Sequence, residues 1–198
     1  MNKLISIVGA SGTGKTSLTQ VLAHTHKFKT AYEQHQERPF QALFKADKKY
    51  ALANQIDYFL LRATQEQELR AAAQIGLMDG GLDLDFHGFT RLFLHRNLLA
   101  EPEFDLCRKL YNFIRETLPP PELIVRLNAD VETVTSRMVG RQRINIANAK
   151  DTALFNSLLD EWLESLPSTN ILTLNVTHES MEYVNSINLI LAYMQNHF

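Results

Sequence analysis

Residues Gly9-Ala10-Ser11-Gly12-Thr13-Gly14-Lys15-Thr16 fit the pattern G-x-x-x-x-G-K-[ST]. The apolar run Leu4-Ile5-Ser6-Ile7-Val8 before them reads as a buried strand. Ser17–Ala23 after them reads as a helix. That strand–loop–helix setting separates a phosphate-binding loop from a glycine turn that merely caps a helix. The glycines let backbone N–H groups turn inward around a phosphate, and the helix N-terminus adds partial positive charge. In such a loop Gly9, Ala10, Ser11, Gly12, Thr13 and Gly14 cradle the phosphates of ATP. Lys15 reaches the β- and γ-phosphates, and the Thr16 hydroxyl joins a Mg²⁺ shell.

Composition narrows the remaining choices. At 198 residues the chain reads as one domain, residues 1–198, with a substantial core. A net charge of −2, with no basic tail, argues against nucleic acid as the main partner. Cys107 is the only cysteine, which excludes disulfides within the chain and cysteine-rich zinc sites. No apolar run approaches a membrane span, and the N-terminal apolar run belongs to the nucleotide-binding strand rather than to a leader. No histidines form an H-x-x-x-H pair, so no histidine metal site is expected. The expected compartment is a reducing, ATP-rich cytoplasm.

Strand patterns at about Lys3–Val8, Phe28–Tyr32, Ile75–Met78, Leu123–Leu127 and Ile171–Leu174 alternate with helical ones. The helices are expected at about Gly14–His24, from Pro39, Lys48–Ala73, Asp85–Leu99, Glu103–Thr117, Ala129–Met138, Asp151–Leu166 and Met181–Gln195. Pro102 is read as the break between the fourth and fifth of these. Alternation of this kind implies an α/β fold of three layers, a parallel sheet covered by helices on both faces. Ligands of such sheets bind beyond the carboxyl ends of the strands. Glu33 and Asp79 both follow strands and so fall at that end.

Asp79 has two readings, a carboxylate in the Mg²⁺ shell or a turn residue before Gly80-Gly81. Glu33 is either a base that takes the proton of an attacking hydroxyl or a solvated loop carboxylate. Arg137, Arg141 and Arg143 either fold over ATP and neutralise charge on the transferring phosphoryl group, or form a solvated basic helix end. Their spacing puts Arg137 and Arg141 on one helix face. Phe86, Phe89 and Phe93 recur at helical spacing and read as core.

The ordered set resembles the deoxynucleoside kinase family over most of the chain. Glu33 stands where that family's catalytic base follows the second strand. Gln55 and Arg62, within Asn54-Gln55-Ile56-Asp57-Tyr58-Phe59-Leu60-Leu61-Arg62, match its long base-reading helix. Asp79 matches the acidic residue of the Asp/Glu-Arg-Ser motif, and Asp85 an aspartate that orients the base and its arginine partner. Arg137, Arg141 and Arg143 match an arginine-rich lid at about 137–150. The resemblance implies a phosphate-loop NTPase fold with strand order 2-3-1-4-5, phosphoryl transfer from ATP to a nucleoside 5′-hydroxyl with Mg²⁺, and a homodimer.

Three positions depart from the family pattern. Gly80 replaces the arginine after Asp79. Phe44 stands where an aromatic hydroxyl meets the sugar. Ile146, or Asn145 beside it, replaces a lid glutamate that holds the 3′-hydroxyl. The base-reading residues are thus retained and the sugar clamp is lost. Two alternatives follow: a small-molecule or nucleotide kinase with another acceptor, or an ATP-binding protein with impaired catalysis, for which Gly80 speaks.

Overall fold

The computed structural model describes residues 2–32, 38–138 and 149–197. Among them, five parallel strands form one sheet: β1 (Leu4–Val8), β2 (Phe28–Ala31), β3 (Ile75–Asp79), β4 (Leu123–Asn128) and β5 (Ile171–Asn175). Their order is β2-β3-β1-β4-β5, as the resemblance implies. Every residue of β1 is buried, because parallel strands covered on both faces are apolar on both. Ile5 and Ile7 face Leu18 and Leu22 of α1 (Lys15–Thr25) and Ile187 and Ile190 of α9 (Val184–His197). Leu4 packs with Leu69 of α3 (Ala51–Ala71), and Val8 packs with Phe155 and Leu159 of α8 (Ala149–Glu164). The remaining helices are α2 (Pro39–Ala46), α4 (Leu82–Leu84), α5 (Arg91–His95), α6 (Glu101–Thr117) and α7 (Val131–Met138). No helix of the described residues is long and apolar enough to cross a membrane.

Several expected boundaries change. The helix read as Lys48–Ala73 is a 3₁₀ turn, Lys48–Tyr50, followed by α3. The Asp47 side chain accepts from Lys49 N at 3.0 Å and so starts the tighter turn. The helix read as Asp85–Leu99 is three pieces: α4, a π-helical turn Asp85–Thr90, and α5. It stops at His95 because Asn97 turns left-handed, with φ 52°. Pro102 does not separate helices but lies in the first turn of α6, where a missing N–H costs nothing. The last helix starts at Val184 rather than Met181, after Tyr183 at φ 50°.

The π turn carries Asp85 and Thr90. The Thr90 hydroxyl lies 2.9 Å from the Asp85 carbonyl. Gly88 has no room for a side chain, since a Cβ there would meet the buried Phe155 ring at 2.6 Å. α8 therefore presses directly on the turn. His87 stacks on Trp162, with centroids 5.0 Å apart, and its Nε2 lies 3.2 Å from the Tyr111 hydroxyl. Burial, reinforced by nearby Arg91 and Arg115 against the opposing pull of Asp83, lowers its pKa from 6.5 to about 4.

His87 makes the fold acid-sensitive. In the unfolded chain it binds a proton near pH 6.5, in the folded chain only near pH 4. Between those values the unfolded state holds the extra proton, so stability falls as pH drops through that window. The loss by pH 4.5 should be about 2–3 kcal/mol. Thermal melts at pH 7 and 4.5 should show a smaller acid-induced fall in Tm for His87→Gln than for wild type. Equal falls would remove His87 as the cause.

Candidate active site

The phosphate loop joins β1 to α1. Gly12 and Gly14 have φ of 87° and 101°, a region open to glycine and strained for other residues. At Gly9 a Cβ would stand 2.7 Å from the Leu127 carbonyl oxygen, so this position also needs glycine. The Thr13 hydroxyl donates to the Ala10 carbonyl at 2.9 Å and pins the loop internally. Lys15 Nζ donates to the carbonyls of Gly9 at 3.0 Å and Ala10 at 3.2 Å, which lays its ammonium across the loop. Arg137 at the end of α7 donates to the carbonyls of Thr13 and Val176, each at 3.2 Å. The third layer of support is the buried Tyr183, whose hydroxyl occupies the space where a Gly14 side chain would be.

Beneath the loop, the Thr16 hydroxyl donates to Asp79 Oδ2 at 2.6 Å. Asp79 is fully buried, and among the described residues its Oδ1 has no hydrogen-bond partner. An orphaned buried carboxylate oxygen beside a hydroxyl is a hard-oxygen donor set of the kind Mg²⁺ takes. The residues present therefore fit the cation. Asp79 follows β3 into a turn as well, but its burial and its bond to Thr16 set it apart from a solvated turn residue.

On the other side of Asp79 lies a buried polar cluster. Arg62 Nε donates to Asp85 Oδ2 at 3.1 Å, and both side chains are buried. Arg62 Nη1 donates to Gln65 Oε1 at 3.1 Å and to the Asp79 carbonyl at 3.4 Å. Gln55 Oε1 lies 2.8 Å from the Thr90 hydroxyl, which fixes the amide with its oxygen turned to Thr90. Among the described residues Gln55 Nε2 makes no hydrogen bond, so the amide retains a free donor. The structure thus brings Gln55, Arg62 and Asp85 together beside the Thr16–Asp79 pair. Phe44 lies in the apolar cluster between α2 and α5, stacked on Phe93 at 5.1 Å, with Lys48 Nζ 4.2 Å from its ring centre. Phe86 and Phe93 are core residues, and Phe89 packs on Phe155. Glu33, Arg141, Arg143, Asn145 and Ile146 lie outside the described residues.

Sequence reasoning did not single out several contributors. Arg38 pairs with Asp57 through two bonds of 2.5 Å and lies 6.0 Å from the Tyr58 ring centre. Arg115 spans Asp83 at 2.9 Å and Glu66 at 3.0 Å, and Arg70 joins Glu66 to Glu122, each at 3.1 Å. Against the opposing effect of burial, Asp83 and Glu66 together hold the Arg115 guanidinium above its ordinary range. Only the four-residue spacing of Glu66 and Arg70 was visible in the sequence. The other partners come from distant elements.

A glycine-rich loop with a lysine across it, over a carboxylate–hydroxyl pair at the carboxyl edge of a parallel sheet, defines a phosphate-loop nucleotide-binding enzyme. The profile of the deoxynucleoside kinase family matches residues 5–197, and the chain belongs to that family. It is a phosphotransferase that uses ATP and acts on a nucleoside hydroxyl. It is 27% identical over 146 residues to a deoxyadenosine/deoxycytidine kinase of Bacillus subtilis, spanning 72% of this chain and 67% of that one. A deoxyguanosine kinase of the same organism is 24% identical over 140 residues, or 70% and 67% of the two chains. In fold it is similar to the deoxyadenosine kinase of M. mycoides. The structure of that enzyme with dCMP and dCDP superposes with a TM-score of 0.80 at 19% identity, covering 98% of this chain and 99% of the other. Its dATP-bound form gives 0.79 at 18% identity, covering 96% and 98%.

Proposed function

We propose that this kinase moves the γ-phosphoryl of ATP to the 5′-hydroxyl of a deoxynucleoside of adenine, guanine or cytosine, the bases named for its relatives. Thr16 and Asp79 would hold Mg²⁺. The observation that carries this reading is the 2.6 Å Thr16–Asp79 bond beneath the loop, with Asp79 Oδ1 left unmet. Bound there, Mg²⁺ would offset charge on the β- and γ-phosphates. Lys15 exchanges its two carbonyl partners for phosphate oxygens. Arg137, with Arg141 and Arg143 from a lid over about 137–150, stabilises the charge that develops on the transferring group. Glu33, two residues after the end of β2 in the sequence, accepts the proton of the 5′-hydroxyl. Residues 1–198 act as a single kinase domain in a reducing cytoplasm. Such a compartment suits the one thiol, Cys107, which burial and nearby Glu103 raise to about 11.

Glu33→Gln should leave ATP binding intact and lower kcat by roughly 10²–10⁴-fold. Calorimetry with a non-hydrolysable ATP analogue, beside steady-state turnover, reads both quantities. Lost binding with normal turnover of the bound fraction would assign Glu33 a structural role.

Acceptor discrimination rests on the base, through Gln55, Arg62 and Asp85, and little on the sugar 3′-hydroxyl. Phe44 brings no hydrogen bond to that hydroxyl and is itself occupied in the core. Matched nucleosides with and without a 3′-hydroxyl should therefore differ little in kcat/KM, and nucleosides of different bases should differ strongly. The reverse ranking would refute the assignment.

The chain functions as a homodimer paired through α3 and α6. Leu60 on α3 and Leu106 and Phe113 on α6 are exposed, Phe113 by 66%, and the seven-residue spacing puts Leu106 and Phe113 on one helix face. Sedimentation should find a dimer that Phe113→Glu converts to monomer. A wild-type monomer at all concentrations would rule this out.

A further inference from the structure

Asn54 is fully buried in α3, and among the described residues neither its Oδ1 nor its Nδ2 has a hydrogen-bond partner. A buried amide with donor and acceptor both unmet is costly, and the proteins that keep one commonly use it. Its position on the helix indicates for what. Residues 54, 58, 61 and 65 share one face of α3. At the far end of that face Gln65 Nε2 donates to the Tyr32 carbonyl at 3.1 Å, so the face looks toward the carboxyl end of β2. One turn from Asn54, Tyr58 lies against Arg38, at the start of α2. The neighbouring face carries Gln55 and Arg62, seven residues apart, with Asp85 paired to the latter. Asn54 therefore shares one face of α3 with Tyr58 and Gln65 and adjoins the face that carries Gln55 and Arg62.

We infer that Asn54 reads the acceptor base: its amide supplies a donor and an acceptor to a nucleobase edge, alongside the free Nε2 of Gln55. This rests on the reading that Gln55, Arg62 and Asp85 face the base. Two adjacent amides on two faces of one helix grip neighbouring atoms of a planar ligand, and only the ligand relieves the unmet groups of Asn54. The residue touches the base and not the phosphates, so its effect falls on the acceptor alone.

The test uses the full chain as wild type, Asn54→Leu and Asn54→Ala, with ATP and the 2′-deoxynucleosides of adenine, guanine, cytosine and thymine. Asn54→Leu should lower kcat/KM for the best acceptor about 10–100-fold, the scale of an unmet buried group on the ligand. The KM for ATP should not change. The ligand-free Tm of Asn54→Leu should equal or exceed that of wild type, since an apolar side chain replaces an unpaired amide. A lowered Tm with wild-type kcat/KM would overturn the proposal and make Asn54 structural. So would unchanged kcat/KM in both variants. Should neither variant fold, the wild-type protein still decides. The assigned side-chain ¹⁵N amide resonance of Asn54 should shift on adding the best deoxynucleoside without ATP, and should not shift on adding a non-hydrolysable ATP analogue. An unmoved resonance with the nucleoside overturns the inference. Wild-type protein that phosphorylates no nucleoside would overturn the proposed acceptor together with it.

Discussion

The pairing of β1 with β3 is the constraint on which the site depends. In their parallel register Ile7 stands opposite Asp79. One strand then runs into the phosphate loop and the other ends on its carboxylate, side by side at the same edge. Gly80 N donates to the Ile7 carbonyl at 2.9 Å and extends the pairing one residue past the strand. Because side chains alternate along a strand, a slip of one residue would turn Asp79 to the opposite face and leave Thr16 without it. The Ser6 hydroxyl of β1 donates to the Gly80 carbonyl, and this bond between the two strand ends exists only in the observed register. The strand pairing thus sets the geometry of a polar pair of side chains.

The buried polar cluster beside Asp79 is built on a different principle. Arg62, Asp85, Arg70, Glu66, Asp83 and Arg115 are charged groups within or beside the core. Buried ion pairs contribute little net stability, because desolvation offsets attraction, but removing one partner leaves the other charge stranded. Each such pair therefore fixes an arrangement more than it strengthens the fold. Glu66 meets both Arg70 and Arg115, so the orientation of α6 is tied to that of α3. Asp83, two residues before Asp85, receives Arg115 and the Tyr111 hydroxyl, which ties the start of the π turn to α6. The turn that carries Asp85 is held from three directions: by Arg62, by α6 through Asp83, and by α8 against Gly88.

Much of this was legible in the sequence, and the physical reasons differ by element. The phosphate loop was readable because its chemistry needs consecutive residues in fixed order. The strands were readable because burial on both faces leaves short apolar runs between polar turns. Asp79 was readable because it ends such a run. The π turn was not, because Phe86, Phe89 and Phe93 keep a helical spacing while the wider turn is forced by contacts with α8. Pro102 misled because proline ends a helix in its interior yet suits its first turn, and spacing alone does not tell the two apart. The partners of Arg38, Arg115 and Arg126 were invisible for another reason. Asp57, Asp83 and Asp160 lie 19, 32 and 34 residues from them.

Gly80 stands at a turn with a backbone requirement of its own. The sequence has no arginine after Asp79, which suggests a site short of one positive charge. Gly80 has φ 79°, where a side chain is strained. A Cβ there would stand 3.3 Å from Nη2 of Arg62, and the same guanidinium bonds the Asp79 carbonyl through Nη1. A guanidinium therefore does lie at the end of β3, delivered from α3 and oriented by Asp85. It is buried and paired with Asp85. The end of β3, which carries no arginine of its own, thus meets the guanidinium of the long helix α3 through its backbone.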